Sequence, residues 1–178
     1  MRSSSAPHLD QVSFTPASLH IGTPASFSST AVAQHNRLCL EDPGQSTANG
    51  TQYPQNHCGS GQEQIFDFHP VARTTDTYTV VNHYSGKCLD VSALSTADGA
   101  AVQQWKCLNG ANQRSTLRAV TALGNSHDYQ LVAVHSGKRV DVSPISTAPG
   151  ALVHQWRCDA GSTLTTKKNQ IWRLSGKD

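Results

Sequence analysis

At 178 residues, 37% apolar and only 15% charged, the chain is long enough for one domain with a real core. Its polarity comes from 20 Ser, 16 Thr and many amides rather than from ionised groups, which excludes a disordered polyelectrolyte; a net charge of +2 carried by scattered Lys and Arg excludes binding driven by nucleic-acid phosphates. No apolar run approaches the roughly 18 residues of a membrane span, and five cysteines point to disulfides in an oxidising compartment, with at least one thiol left without an internal partner.

Residues 1–28 read as a flexible lead, because Ser3, Ser4, Ser5, Pro7, Pro16, Gly22 and Pro24 interrupt every apolar pair and no period is sustained. The triplet Ala31-Val32-Ala33 has the small residues of a secretory cleavage site but lacks the preceding apolar stretch of about 7–15 residues. No signal peptide is therefore expected in the sequence as it stands.

Residues 29–178 are organised by an internal repeat. Shifting Tyr78–Cys107 by 51 positions onto Tyr129–Cys158 gives 17 identities in 30 without a gap, and shifting Ser29–Cys58 by 49 onto Tyr78–Cys107 gives 10 in 30. The chain thus divides into repeats 29–77, 78–127 and 128–178, the first most diverged. Val32 falls on Val81 and Val132 at the opening of each repeat, so Ala31-Val32-Ala33 is expected to be a first strand. Further strands are predicted at 78–81 and 129–134, 88–91 and 140–142, and 101–105 and 152–156, separated by Gly-containing turns. No stretch keeps a helical period. The fold class is all-β, and three units of about 50 residues fall short of a propeller's usual 4–8 blades, leaving a closed barrel of pseudo-threefold symmetry.

Cys39 and Cys58 are 19 apart, as are Cys88 and Cys107, at equivalent positions, so each of the first two repeats is expected to close its own bridge, a loop whose constraint stabilises by about 3 kcal/mol. In the third repeat Arg139 stands where the partner of Cys158 would be, and Cys158 is left as a buried inert thiol or an intermolecular partner. Strand alternation puts Cys88 and Asp90 on one face and Gln103, Trp105 and Cys107 on one face of the next strand. If Cys88 faces Cys107, Asp90 faces Trp105. The third repeat copies the set as Asp141, His154 and Trp156; the first has Glu41, Pro54 and Asn56. A carboxylate, an aromatic face and amides are the groups that bind a sugar's hydroxyls and its apolar C–H patch; the plainer alternative is a core Trp beside a surface Asp.

The wording Cys-Leu-Asp-Val, Ser-Thr-Ala-Asp-Gly-Ala-Ala-Val-Gln-Gln-Trp-Lys-Cys and Asn-Gln resembles the ricin B-chain type lectin family, also called carbohydrate-binding module family 13, and in particular its bacterial secreted members, over about residues 29–175. The resemblance implies a β-trefoil of twelve strands with one potential sugar pocket per repeat and an extracellular location. It places the sugar-binding Asp on Asp90 and Asp141, the pocket Gln on Gln103 (His154 in the third repeat), the stacking aromatic on Trp105 and Trp156, and the Asn-Gln pair on Asn112-Gln113 and Asn169-Gln170, with the Gln serving mostly the fold. Its closing Gln-x-Trp appears as Gln64-Ile-Phe66, Gln113-Arg-Ser115 and Gln170-Ile-Trp172. Ser115 is expected to loosen the base of the second repeat, the segment Asp159–Lys168 to lengthen the approach to Asn169, and the first repeat, with Glu41, Asn56 and Glu63, to carry no working pocket.

The nine histidines (His8, His20, His35, His57, His69, His83, His127, His135 and His154) show no metal-ligand spacing, and no hydrolase elbow, P-loop or dinucleotide fingerprint occurs. Asp90 and Asp141 are equivalent residues of different repeats, too far separated by pseudo-symmetry for a glycosidase pair. Neither a catalytic residue, a metal nor a cofactor is expected. The reading is non-catalytic binding of galactose- or xylose-type glycans. Its alternatives are a targeting module of, or fragment from, a secreted glycoside hydrolase, with a partner catalytic domain, and a protein-binding trefoil such as a protease inhibitor. Asn49-Gly50-Thr51 is a glycosylation sequon only in a eukaryotic secretory pathway.

Overall fold

Val32, Val81 and Val132 open three equivalent hairpins, where they pair with Cys39, Cys88 and Arg139. A computed structural model describes residues 24–158 and 168–177. Its strands are β1 (Phe27–Thr30), β2 (Val32–Ala33), β3 (Cys39–Leu40), β4 (Gln55–Asn56), β5 (Ile65–Pro70), β6 (Thr77–Asn82), β7 (Cys88–Val91), β8 (Val102–Trp105), β9 (Arg114–Ala119), β10 (Asp128–Ala133), β11 (Arg139–Val142), β12 (Val153–Trp156) and β13 (Trp172–Arg173). Antiparallel pairing runs β1–β5–β6–β9–β10–β13–β2. Because β1 and β2 are one strand interrupted at Ala31, this path closes into a barrel. The hairpins β3–β4, β7–β8 and β11–β12 stand off it. The fold is a β-trefoil. The described residues form thirteen strand segments rather than twelve, because the first strand breaks where its partner changes from β5 to β13. Phe27 and Ser28, within the stretch read as a lead, already belong to β1.

Period-two alternation fills the interior: Phe66 and Phe68 from β5, Tyr78 and Val80 from β6, Leu131 from β10 and Trp172 from β13 are all buried, each contributing about 1.5–3 kcal/mol relative to exposure. Trp172 also donates its indole N–H to the Val140 carbonyl at 3.1 Å. Its counterparts are Phe66 and Ser115, and Ser115 is buried opposite Ala133, so the base holds two large aromatics where strict symmetry would place three. Lower down, Phe27 stacks on Phe68 at 4.5 Å, and the Lys177 ammonium lies 5.7–5.8 Å from the centroids of Phe27, Tyr78 and Tyr129. Tyr78 and Tyr129 are repeat equivalents; Ser29 occupies the third place, and Phe27 supplies the missing ring. Disulfides join Cys39 to Cys58 and Cys88 to Cys107, each with a Cα separation of 5.1 Å, while Cys158 is a free thiol.

The Ser-Thr-Ala segment common to all three repeats is a loop held by a neighbouring repeat. The buried Gln104 donates to the carbonyls of Ser46 and Ala48 at 2.8 and 3.1 Å, Gln155 to those of Ser95 and Ala97 at 2.7 and 2.9 Å, and Gln55 to those of Ser146 and Ala148 at 2.9 and 3.0 Å. Each loop answers through a backbone N–H: Gly50 to the Gln104 carbonyl, Gly99 to that of Gln155 and Gly150 to that of Gln55. The second repeat therefore grips the first, the third grips the second, and the first grips the third. Replacing Gln104 by Leu removes two side-chain bonds and is expected to cost about 2 kcal/mol, read as a lowered denaturant midpoint with an unchanged m-value.

Candidate sugar-binding site

β7 runs between β6 and β8, and its register with β8 pairs Cys88 with Trp105, Leu89 with Gln104, Asp90 with Gln103 and Val91 with Val102. This corrects the expectation that Asp90 faces Trp105. The disulfide does not span a register pair: β8 ends at Trp105, and the chain curls back so that Cys107, two residues on, reaches Cys88. Gln103 is thereby put directly opposite the carboxylate, and Trp105 follows on the same face with 37% of its surface exposed.

Asp90 is buried at the floor. Its Oδ1 accepts from Gln103 Nε2 at 3.1 Å, and its Oδ2 accepts from Asn112 Nδ2 at 2.8 Å and Gln113 Nε2 at 3.0 Å. Asn112 gives its second N–H to the Val91 carbonyl at 3.0 Å. Gln113 gives its second to the Lys106 carbonyl and accepts from the Leu108 N–H, so it closes the loop after β8 as well as anchoring Asp90. Neutral amides satisfy a buried carboxylate here, and among the described residues no cation pairs with it; acceptor lone pairs remain on Asp90 Oδ1 and Asn112 Oδ1. A cavity of about 540 Å³ opens over these groups, lined also by Ser92, Ala93, Leu94, Leu108 and Gly110. That volume lies in the usual range of small-ligand sites. Gly110 leaves room for the Asn112 amide: a Cβ there would come 2.6 Å from Asn112 Oδ1 and displace it. Behind the ring stands another repeat, since a Cβ on Gly50 would lie 3.6 Å from the Trp105 ring, and Asn49 Oδ1 accepts from the Lys106 N–H at 2.9 Å.

The third repeat rebuilds the floor on β11 and β12. Asp141 pairs with His154 in register; His154 Nε2 lies 2.9 Å from Asp141 Oδ1, and because a carboxylate only accepts, that nitrogen carries the proton. Asp141 Oδ2 accepts from Asn169 Nδ2 at 3.0 Å and Gln170 Nε2 at 2.7 Å. The rings of His154 and Trp156 are 5.4 Å apart, and Trp156 lies against Gly99 of the second repeat as Trp105 lies against Gly50. Of the segment Asp159–Lys168, residues 159–167 lie outside the described residues. In the first repeat the same frame closes on itself: Glu41 accepts from Asn56 Nδ2 at 3.1 Å and Gln64 Nε2 at 2.6 Å, and Asn56 stands where an aromatic would stack. All ten residues singled out from the sequence therefore fall into two equivalent clusters. Sequence reasoning did not single out Leu94, Leu108 and Gly110 in the lining of the second-repeat cavity, or Gly50 behind its Trp. The glycine repeated at equivalent positions as Gly50 and Gly99 was the available signal for the backing of the two rings.

Beneath Glu41, Asp42 and Tyr53 replace the valine pairs Val91–Val102 and Val142–Val153. Both are fully buried, and neither the Asp42 carboxyl oxygens nor the Tyr53 hydroxyl has a hydrogen-bond partner. Burial, reinforced by the charges of Glu41 and Glu63, pushes the Asp42 carboxyl up from 3.8 to about 6. Among the described residues no group of three or more His, Cys, Asp or Glu is arranged to hold a metal ion.

Two family models match the chain, the ricin-type beta-trefoil lectin domain over residues 76–178 and the ricin-type beta-trefoil lectin domain-like family over residues 25–105. Among solved structures, the designed threefold-symmetric protein ThreeFoil is 35% identical with a TM-score of 0.72, the match covering 83% of this chain and 96% of that one. The exo-beta-1,3-galactanase 1,3Gal43A from Clostridium thermocellum is 27% identical with a TM-score of 0.72, over 86% of this chain but only 31% of the enzyme. The Macrolepiota procera ricin B-like lectin, solved with lactose, shares the fold at 14% identity and a TM-score of 0.63, over 86% of this chain and 96% of that lectin. No curated protein matches the chain.

Gly110→Ala is expected to turn the Asn112 side chain away from Asp90 and Val91, lowering glycan affinity about tenfold, one lost charge-assisted bond, with little change in melting temperature; titration and calorimetry on the same variant separate the two. For Asp42, a native pKa raised above 3.8 means stability fully present below about pH 4 and lost as pH rises through about 6. Asp42→Val, which restores the residue of the other repeats, is therefore expected to gain melting temperature over the parent progressively between pH 4 and pH 7, measured as the difference between the two proteins at each pH.

Proposed function

Because the chain belongs to the ricin-type beta-trefoil lectin domain family, we propose that it binds galactose- or xylose-type glycans, without turning them over, through pockets in its second and third repeats. The observation that carries this reading is the duplicated floor: Asp90 and Asp141 are each buried and each held by three side-chain donors, with Trp105 and Trp156 placed alongside. Such a floor fixes a carboxylate for hydroxyls that donate to it, while the indole face meets the apolar side of a sugar ring. Repetition of the set in two repeats is hard to reconcile with a mere core Trp beside an Asp.

The pockets rank second, third, first. The open cavity above Asp90 supports the leading place, and the first has Asn56 in place of a stacking ring, bonded to Glu41. Two weak sites on one rigid domain gain apparent affinity for a polymer by effective concentration, about 100-fold where both engage. The two disulfides support an extracellular setting, and the sequence wording supports assignment to the bacterial secreted members of carbohydrate-binding module family 13.

A second reading is that the chain serves as a targeting module of a secreted glycoside hydrolase or is a piece of one. The similarity to a galactanase of which it spans 31% favours it; a catalytic domain encoded next to this one would establish it. For the binding sites themselves the test is Asp90→Ala and Asp141→Ala, singly and together, titrated with galactose- and xylose-containing polysaccharides. Each single variant is expected to lose about tenfold or more in apparent affinity as avidity falls, and the double variant to lose binding while near-UV circular dichroism shows it folded. Unchanged binding by the folded double variant would overturn the assignment.

A further inference from the structure

The cavity of the second repeat has a polar floor and an apolar rim, and the two halves ask for different parts of a ligand. On the floor both N–H groups of Asn112 and both of Gln113 are spent inside the protein, and Gln103 gives one of its two to Asp90. What is left is mainly acceptor capacity, so the floor suits hydroxyl donors. On the rim, Leu94 and Leu108 line the cavity with 60% and 63% of their surfaces exposed. Together with Trp105 they make three of the seven large hydrophobic side chains exposed among the described residues, gathered at one opening. A cluster of that kind marks a contact surface, whereas single exposed leucines do not.

The pair of leucines is particular to this repeat. Leu94 has Gln45 as its counterpart in the first repeat and the exposed Ile145 in the third, but the residue after the hairpin cysteine is Leu108 only here, being Gly59 in the first repeat and Asp159 in the third. Leu94 is held in the left-handed region at φ 53°, as are its counterparts Gln45 and Ile145, a conformation that disfavours side chains other than Gly, and its side chain stands at the cavity mouth.

Resting on the carbohydrate-binding reading above, we propose that the second-repeat pocket selects glycosides carrying an apolar aglycone, the sugar hydroxyls meeting Asp90 and Asn112 and the aglycone lying against Leu94 and Leu108. A ligand of this class matches the cavity end to end; a bare monosaccharide leaves both leucines in water.

The test compares methyl with hexyl β-galactopyranoside and β-xylopyranoside by titration calorimetry of the full chain carrying Asp141→Ala, so that the second repeat reports. For the sugar that binds, the hexyl glycoside is expected to bind about tenfold tighter than the methyl glycoside, the effect of covering some 60 Å² of apolar surface. Leu94→Ser and Leu108→Asn, both at exposed positions, should bring that ratio close to one. A ratio near one in the parent, or one that survives both substitutions, would overturn the aglycone proposal while leaving carbohydrate binding intact. A ratio near one accompanied by a dimer that Leu108→Asn dissociates in sedimentation would assign the rim to a second copy of the chain instead. Failure of every methyl and hexyl glycoside to bind would overturn the underlying reading and this one with it.

Discussion

A buried glutamine in the second hairpin strand of each repeat, Gln55, Gln104 or Gln155, ties its hairpin to the Ser-Thr-Ala loop of another repeat, and the three ties run in one direction around the pseudo-threefold axis. Two-stranded hairpins are marginal alone; β3–β4, β7–β8 and β11–β12 cap the barrel by packing Leu40, Leu89, Val91, Val102, Val140, Val142 and Val153 into its core. The clasp joins the three hairpins to one another as a closed collar. It also decides where the loops go, because Gly50 and Gly99 are drawn against β8 and β12 by the same bonds and so come to lie behind Trp105 and Trp156. Glutamine suits the task because one neutral amide can donate to two carbonyls of a turn without bringing charge into the interior.

The same economy governs the floors. Among the described residues each floor carboxylate is satisfied by amides, with an imidazole substituted in the third repeat, and not by Lys or Arg. A guanidinium would bind the carboxylate more strongly and fill the space a hydroxyl needs. The low charged fraction of the chain is thus a property of its chemistry: the charges at Asp90 and Asp141 are left facing neutral partners. The first repeat shows the frame without the opening. Glu41 takes Gln64 as Asp90 takes Gln113, but also binds Asn56, which stands in place of the ring, and Asp42 with Tyr53 places polar groups where Val91 and Val102 or Val142 and Val153 pack in the other two.

Much of this was legible in the repeat alignment. Shifts of 49 and 51 put Val32, Val81 and Val132 at one place, and the structure pairs all three identically with Cys39, Cys88 and Arg139. They also assigned the two disulfides and the free Cys158. The cross-strand register was misread because a disulfide was taken to bridge residues directly opposite, whereas Cys107 lies past the end of β8; alternation preserved the correct face and lost only the order along it. Gln104 and Gln155 were visible as identities, but their partners lie 56–60 residues away in another repeat, beyond any local pattern. Leu94 and Leu108 carry no periodic signal at all: they sit in turns, where the backbone path and not the alternation decides which side chains meet.

Gly50 behind Trp105 couples repeats that the sequence duplicated as separate units of about 50 residues. The lining of the second-repeat cavity comes from that repeat alone, but the ring at its edge is backed by the first. A larger residue at Gly50 would therefore press on Trp105 without touching the floor. Exchange of single repeats between related chains would set a ring against a backing that neither parent possessed.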